Sequence, residues 1–366
     1  MTAPAPERTH PRPARGLVSR GASGRWAVHV DRWGVSARLR VRAVLAVSVL
    51  AVLVLGLAAT GLFVGGASDL PADDVLRVIV GGGGDFATVF LVQEVRMPRV
   101  FTGLLAGMCL GASGMVFQSA GRNPLASPDV IGFTAGASAG AAAQILVFGG
   151  GTRAVAGGAL AGGLLTGLAV YALTRRDGLA GNRLVVVGVA LAAMLTAATS
   201  YLLARAKVTD VAPTAEWLAG SLNGRGWDHV ATAGAAAALL LPLLAVLGPA
   251  LRLLELGDDV ARGLGVPVER VRLAALFAGV GLASGAVAAA GPIAFVALAA
   301  PQIAARFTRS GLSLWASALT GAVLLLGADI LTQQLFPGAK LPVGVVTAAL
   351  GGCYLAAVIG LHRKTA

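Results

Sequence analysis

The chain has 366 residues, of which 56% are apolar and only 13% are charged. A soluble globular domain carries about 25% charged residues, so this composition, with a mean hydropathy of +0.80, excludes that class and predicts a polytopic membrane protein. Two cysteines and four histidines exclude a disulfide scaffold and leave little for a zinc or haem site.

The first 40 residues differ in composition from the rest of the chain. They are rich in Pro, Arg, Ser and Gly and show no helical or strand period, which predicts a disordered, basic cytoplasmic tail over residues 1–40. This tail carries much of the formal net charge of +12, and a basic segment beside the inner leaflet is attracted to anionic lipid. We therefore expect the membrane, and no nucleic acid, as the partner of this charge.

From Val41 onward the chain is a series of apolar runs of about 18–25 residues, the length that crosses about 30 Å of hydrocarbon. These runs predict an all-α transmembrane domain over residues 41–366. When the N-terminus is placed inside, most of the 29 Lys and Arg residues fall in inner segments, which favours both termini inside. The ten predicted spans are 42–65, 98–117, 131–149, 154–174, 184–204, 230–251, 272–289, 292–307, 314–335 and 343–361.

Small residues recur at four-residue spacing along several of these spans. Gly103, Gly107 and Gly111 are one such series, and Gly158 and Gly162 are another. Small residues on one helix face let two backbones approach closely, so the pattern predicts a tightly packed helical bundle. This pattern says nothing about the substrate.

The sequence contains little chemistry of its own. The run Gly81–Gly84 lacks the Lys-Ser/Thr of a phosphate loop, which indicates a flexible outer connector. Asp329 is the one carboxylate well inside a predicted span, and such an acid is by default a candidate functional residue, here of the transport pathway. The alternative is an Asp329 that is hydrated or bonded to a neighbouring backbone. Without energy-converting residues, the chain is expected to form a pathway that another protein drives.

The segment between the sixth and seventh predicted spans has an apolar stripe although it is too polar to enter the membrane. Leu256, Val260 and Leu264 follow one another at four-residue spacing, which places them on one face of a short helix. Such a face is expected to dock into a groove on a soluble partner. The alternative is an ordinary solvated loop.

The ends of this short helix can also be predicted. Asp258 and Asp259 stand where N-cap acids belong, and Gly263 or Gly265 can end the helix. Pro267 is then expected to start a second short helical piece.

Four segments are more specific than helix packing requires. In chain order they are Arg96-Met97-Pro98-Arg99, residues 121–129 (GRNPLASPD), residues 256–267 (LGDDVARGLGVP), and residues 291–306 with 341–347 (GPIAFVALAAPQIAAR and LPVGVVT). Together and in this order they resemble the transmembrane permease subunits of ABC importers for iron-siderophores, haem and vitamin B12. The resemblance covers about residues 41–362, and the basic tail lies outside it.

The resemblance implies a permease subunit in the cytoplasmic membrane and no enzymatic activity of its own. It implies ten helices per subunit and a second permease subunit, identical or related, around a central pathway. Two cytoplasmic ABC ATPase subunits and an external substrate-binding lipoprotein are the further implied partners. No cofactor and no metal site are expected.

The resemblance also implies roles for particular residues. Coupling helices that receive the ATPase stroke are expected within 252–272, and the residues assigned to them are Leu256, Asp258, Asp259, Val260, Arg262, Leu264, Gly265, Val266 and Pro267. Relatives use arginines to meet carboxylates on the binding protein, which assigns docking to Arg96 and Arg99; interfacial snorkelling is the alternative. Relatives often carry a third arginine where this chain has Gln333, so Lys340 is assigned in its place. The inner gate falls on Gly181 and Asn182, where relatives have small hydroxyl residues.

The predicted substrate is a ferric siderophore. No cluster of Asp, Glu, His or Cys could hold bare iron, so the ion is expected to cross within its chelator. Many relatives have His after the proline of the eighth span, and Gln302 at that position argues against direct metal ligation. Vitamin B12 and haem remain alternatives, and a self-powered secondary transporter is a remote one.

Overall fold

The computed structural model describes residues 18–20, 25–30, 35–64, 70–174, 182–309, 311–335 and 341–362. Over this part of the chain a helical bundle follows a small antiparallel sheet. The sheet has strands β1 (Val18–Arg20), β2 (Arg25–Val30) and β3 (Val35–Arg40) in the order β1-β2-β3. These short strands lie within residues 1–40, and β3 (VSARLR) alternates apolar and polar residues over its six positions.

The helices follow the predicted spans. In chain order they are α1 (Val41–Val64), α2 (Ala72–Ile79), α3 (Phe86–Phe90) with a π-helical turn (Leu91–Arg96), α4 (Met97–Gly121), α5 (Phe133–Leu146), α6 (Thr152–Thr174), α7 (Asn182–Arg205), α8 (Val208–Leu218), α9 (Trp227–Leu254), α10 (Asp258–Gly263), α11 (Val268–Ala290), α12 (Val296–Thr308), α13 (Leu314–Leu335) and α14 (Val343–His362). Each of the ten predicted spans overlaps one of these helices. Among the described residues, seven helices are long and apolar enough to cross a membrane; α5 and α12, with 14 and 13 residues, are shorter.

Helices α4 and α11 form the centre of the bundle. They pack against each other, and between them they contact α9, α12 and α13, while α1 and α7 lie at the periphery. The predicted close packing through glycine is confirmed, because the α4 backbone at Gly107 and Gly111 lies directly against α13 at Gly321 and Ser317. A Cβ at Gly107 would stand only 2.6 Å from the Gly321 carbonyl oxygen. Any side chain there would separate the two helices.

The bundle has two polar ends. The Arg99 end contains the start of α4 and the end of α13, and the α10 end contains the end of α4, α10 and the start of α11. Most of the predicted site residues that the structure describes lie at these two ends.

Candidate coupling and docking sites at the two ends of the bundle

The apolar stripe at the α10 end is exposed, as predicted. Leu256 is 64% exposed, Val260 50% and Leu264 60%, whereas Ala261 on the opposite face is buried. Exposed leucines on so short a polar segment present an apolar surface to whatever lies beyond this end of the bundle.

The predicted ends of this helix are partly corrected. Helix α10 ends at Gly263, and Gly265 then adopts a φ of +82°, in agreement with the prediction. The N-cap is Gly257, so Asp258 and Asp259 are the first two helical residues, where their charge still favours the positive end of the helix. The expected second short helix does not form, because Pro267 is the N-cap of the long helix α11.

The remaining residues assigned to coupling have different surroundings. Val266 is half-buried and packs against the hydrophobic core. Arg262 is exposed, and it contacts the carboxylates of Asp259 at 3.2 Å and Glu269 at 3.9 Å. Exposed pairs of this kind contribute little, about 0–1 kcal/mol.

Asp258 is the centre of a charged network that the sequence analysis missed. Its Oδ1 accepts hydrogen bonds from Nη2 of Arg272 at 2.7 Å and from Nη2 of Arg122 at 3.2 Å. The Arg272 side chain is only 2% exposed, and the hydrogen bond it donates is the main reason that the pKa of Asp258 is lowered. The three residues belong to α11, α10 and the end of α4, so the network ties three elements together.

A second polar contact at this end joins α4 to the residue that follows α9. The hydroxyl of Ser119 donates to Oε1 of Glu255 at 2.9 Å. Gln118, Arg122, Glu255 and Gln302 line an open cavity of about 330 Å³ beside this contact.

At the Arg99 end, Arg99 and Asp329 form a bidentate ion pair. Arg99 Nη2 lies 2.7 Å from Oδ1 of Asp329, and Nε lies 2.9 Å from Oδ2. The side chains are 18% and 5% exposed, and the amide of Gln333 also donates to Oδ2 at 2.9 Å. The Asp329 side chain therefore joins α13 to α4 through Arg99. Arg99 itself lies at a polar end of the bundle, where docking to a binding protein requires it.

The placement expected for Arg96 is corrected. Arg96 is only 4% exposed, and its Nη1 donates to the carbonyl oxygens of Leu62 at 2.9 Å and Phe63 at 3.1 Å. These carbonyls belong to the last turn of α1, which has no later residue in the helix to bond them, so the guanidinium caps that helix. A side chain committed in this way is not presented to a partner.

Three predicted residues remain without a described side chain. Lys340 and Gly181 lie outside the described residues. Asn182 is the first residue of α7, and only its backbone is described.

The connection between α4 and α5, residues 122–132, is held in place by polar contacts. The Pro124 carbonyl accepts a hydrogen bond from the amide of Gln302 at 2.8 Å, which joins the connection to α12. Asp129 Oδ1 accepts from the Thr134 hydroxyl at 2.6 Å. Burial raises the pKa of Asp129 to about 6, although the hydrogen bonds with Thr134 and the Phe295 backbone act in the opposite direction.

Within the described residues, no group of three or more His, Cys, Asp or Glu side chains is placed so that it could hold a metal ion. The sites described above consist of ion pairs, most of them between helices, and of an exposed apolar face. A polytopic helical bundle with seven described helices of this length and hydropathy is that of an integral membrane protein.

Comparison with known proteins places this chain more closely. It belongs to the FecCD transport family, whose model matches residues 47–360. The ferric enterobactin transport system permease protein FepG of Escherichia coli (strain K12) is 44% identical over 293 residues, which are 79% of this chain and 88% of that protein. The Fe(3+)-citrate import system permease protein YfmE of Bacillus subtilis (strain 168) is 36% identical over 320 residues, covering 87% and 95%.

A solved structure supports the same assignment. A chain from an ABC transporter described as of the metal-chelate type, in an inward-facing conformation, matches with a TM-score of 0.76 and 26% identity. The match covers 86% of this chain and 98% of that one. The predicted resemblance to permease subunits of this class of ABC importer is confirmed.

Proposed function

We propose that this chain is the permease subunit of an ATP-driven importer that moves ferric-siderophore complexes across the cytoplasmic membrane. The observation that carries the proposal is the family match, together with relatives whose names specify ferric enterobactin and ferric citrate. The chelate crosses intact. The siderophore itself supplies the ligands of the ferric ion, so the pathway does not need to coordinate the metal.

The proposed topology has ten spans with both termini inside, so that the Arg99 end is external and the α10 end is cytoplasmic. Seven helices in the described part of the chain are long enough to cross a membrane and support this count in part, and the distribution of Lys and Arg supports the orientation. Helix α14 and the shorter α5 and α12 complete the set of ten, since segments that are not exposed to lipid need not span the full hydrocarbon layer.

The proposed complex contains a second permease subunit, two ATPase subunits and an external binding lipoprotein. Support for the ATPase contact is the exposed stripe of Leu256, Val260 and Leu264, which is apolar in a segment that faces the cytoplasm. Support for a second permease subunit is α7, of which only 6% is buried within the chain. Gly181 and Asn182 at the start of α7 are kept as the proposed inner gate.

The binding protein is proposed to dock at Arg99. Lys340, which follows the end of α13 in the sequence, is the second proposed docking residue. Because Arg99 is already paired with Asp329, a partner carboxylate must share or displace that pair. Charge-assisted contacts of this kind orient a partner while leaving it free to dissociate.

The proposal is tested by uptake of radio-iron, presented as ferric enterobactin and as ferric citrate, in cells with and without this chain, alongside labelled cobalamin. Loss of ferric-chelate uptake alone on deletion is expected. Loss of cobalamin uptake alone would contradict the substrate while leaving the transport class intact. Uptake that continues after ATP depletion but stops when the membrane potential is collapsed would contradict the ATP-driven mechanism.

A further inference from the structure

The network around Asp258 connects more than its own helix. Arg272 holds the Asp258 carboxylate in place, because the Arg272 side chain is buried and its Nη2 lies only 2.7 Å from Oδ1 of Asp258. Arg122 reaches the same Oδ1 from the end of α4, and its own side chain is 40% exposed. Arg122 also lies beside Gly257, the residue before α10, where an added Cβ would stand 3.8 Å from the guanidinium. The start of α10 therefore cannot move without disturbing Arg122.

Arg122 is the first residue of the connection 122–132, and the far end of this connection touches α7 through backbone atoms. A Cβ at Gly188 of α7 would lie 2.5 Å from the carbonyl oxygen of Ile131. A Cβ at Gly132, whose φ is +88°, would lie 2.7 Å from the Gly188 carbonyl oxygen. Contacts this close leave no flexible side chain between the two segments, so a displacement of one is passed directly to the other.

The middle of the connection is held as firmly as its ends. Asn123 Oδ1 accepts a hydrogen bond from the backbone N–H of Leu125 at 2.9 Å, and the Ser127 hydroxyl accepts one from Val130 at 3.3 Å. Ala126 and Ile131 are buried in the hydrophobic cluster that α11 completes. The connection is thus a rigid link rather than a loose loop.

We propose that Arg122 is a positioning residue that passes the movement of α10 along residues 122–132 to α7. The inference rests on the proposed function, in which α10 receives the ATPase stroke and the start of α7 contains the gate. It adds the link between the two, which consists of the Arg122–Asp258 pair at one end and the Gly132–Gly188 contact at the other.

The backbone conformation of Arg122 supports a role for its side chain. It is the C-cap of α4 and has a φ of +48°, in the left-handed region where glycine is the favoured residue. Any other residue in this conformation is disfavoured relative to glycine. What arginine adds at this position, and glycine would lack, is the guanidinium that reaches Asp258.

This conformation provides the main test variant, Arg122→Gly. Because glycine suits the backbone, the variant is expected to fold and insert as well as the unchanged chain, while it loses the contact with Asp258. Asp258→Asn is a second variant on the other partner, although it also leaves the buried Arg272 without its charged acceptor. Arg153→Gln is the matched control, since it also removes an arginine from an ion pair, with Asp228 at 3.1 Å, but the side chains of that pair are 89% and 54% exposed and lie outside the coupling segment.

The measurement follows α7 directly and does not need a substrate. In the complex with its ATPase, Cys353 is first changed to Ser, because it is exposed whereas Cys109 is buried. Val186→Cys then places a thiol on α7 at a position that is 66% exposed, and its rate of alkylation by N-ethylmaleimide is measured with and without vanadate-trapped nucleotide. ATPase association, ATP hydrolysis and ferric enterobactin uptake are measured on the same variants in proteoliposomes.

Nucleotide is expected to change the alkylation rate in the chain with Arg122 and in Arg153→Gln, and to have little effect in Arg122→Gly and Asp258→Asn. Arg122→Gly should retain the ATPase and hydrolyse ATP, while uptake per ATP falls about 2- to 30-fold, the range found for substitutions within a coupling network. Arg122→Gly with a normal nucleotide response would overturn the inference, as would a chain with Arg122 whose α7 does not respond.

Two further outcomes separate this inference from others. Loss of the ATPase from Arg122→Gly would overturn it by showing that Arg122 contacts the partner itself. A normal nucleotide response without uptake of any ferric chelate would contradict the proposed substrate and support the inference.

Discussion

The ion pair between Arg99 and Asp329 allows the sharpest test of how this bundle is stabilised. Asp329→Asn and Arg99→Gln are made singly and together, and the free energy of unfolding of each is measured in mixed detergent micelles. The coupling energy is the difference between the effect of the double variant and the sum of the single effects. Both partners are mostly buried and both guanidinium contacts are short, at 2.7 and 2.9 Å.

The expected magnitude follows from this geometry. Two unit charges about 4 Å apart interact by about 4 kcal/mol when the effective dielectric constant is about 20. Removing one partner of a buried pair typically costs about 3–5 kcal/mol, because the other charge stays buried without its counterpart. Gln333 still donates to Asp329 after Arg99 is changed, which lowers that cost. We therefore expect single effects of about 2–4 kcal/mol and a coupling energy of about 2 kcal/mol.

A second ion pair in the same chain provides the control. Arg153 and Asp228 also contact each other, at 3.1 Å, but their side chains are 89% and 54% exposed. Such a pair is worth about 0–1 kcal/mol, so Arg153→Gln and Asp228→Asn should show almost no coupling. A coupling energy for Arg99 and Asp329 no larger than that of the control pair would refute the argument from burial.

Three further predictions concern the apolar face, the connection 122–132 and its buried acid. Leu264→Asp should abolish co-purification of the ATPase without preventing membrane insertion. The control Leu76→Asp, which changes an exposed apolar residue at the Arg99 end, should retain the ATPase. Normal co-purification with Leu264→Asp would contradict the coupling assignment. Gly188→Ala should lower the thermal midpoint in detergent, because the added Cβ would meet the carbonyl oxygen of Ile131. Gly157→Ala is the control and should be neutral or stabilising, because the space around Gly157 is open. Equal midpoints for the two variants would contradict the close contact. Burial raises the pKa of Asp129 to about 6, so the folded state loses stability relative to the unfolded state as pH rises from about 4 to about 6. Asp129→Asn removes this ionisation and should therefore raise the thermal midpoint more at pH 7.5 than at pH 5. A gain that is independent of pH would contradict this reasoning.

The long helices were predictable from sequence because crossing a membrane requires a run of apolar residues of a fixed length. Helix boundaries were predicted less well where the backbone leaves the helix for local reasons. The predicted span 292–307 begins four residues before α12, because Gly291 and Phe295 both have positive φ, +76° and +67°, and interrupt the helix there. A phenylalanine in the left-handed region is not indicated by any local pattern, since glycine or asparagine is typical of it.

The sites were predicted less completely than the fold. Leu256, Val260 and Leu264 are exposed, but only Val260 lies within α10, because Leu256 precedes the N-cap and Leu264 is the C-cap. The partner of Asp329 is Arg99, which lies 230 residues away in the chain, and no spacing rule connects two positions so far apart. The burial of Arg96 was unpredictable for the same reason, because the carbonyl oxygens that it caps belong to another helix.

Helix α4 connects α13 to α10 and so determines which helices can move together. It is joined to α13 by Arg99 at one end and by backbone contact at Gly107 and Gly111 along its length, so α4 and α13 must move as one body. Its other end is joined to α10 through Arg122. Helix α7, in contrast, is almost entirely unburied within the chain; it packs against α5 and α6 and meets the connection 122–132 at Gly188. A force applied at α10 therefore meets a rigid centre and one weakly held helix, and α7 is the element that such a force can displace at the lowest cost in buried contacts.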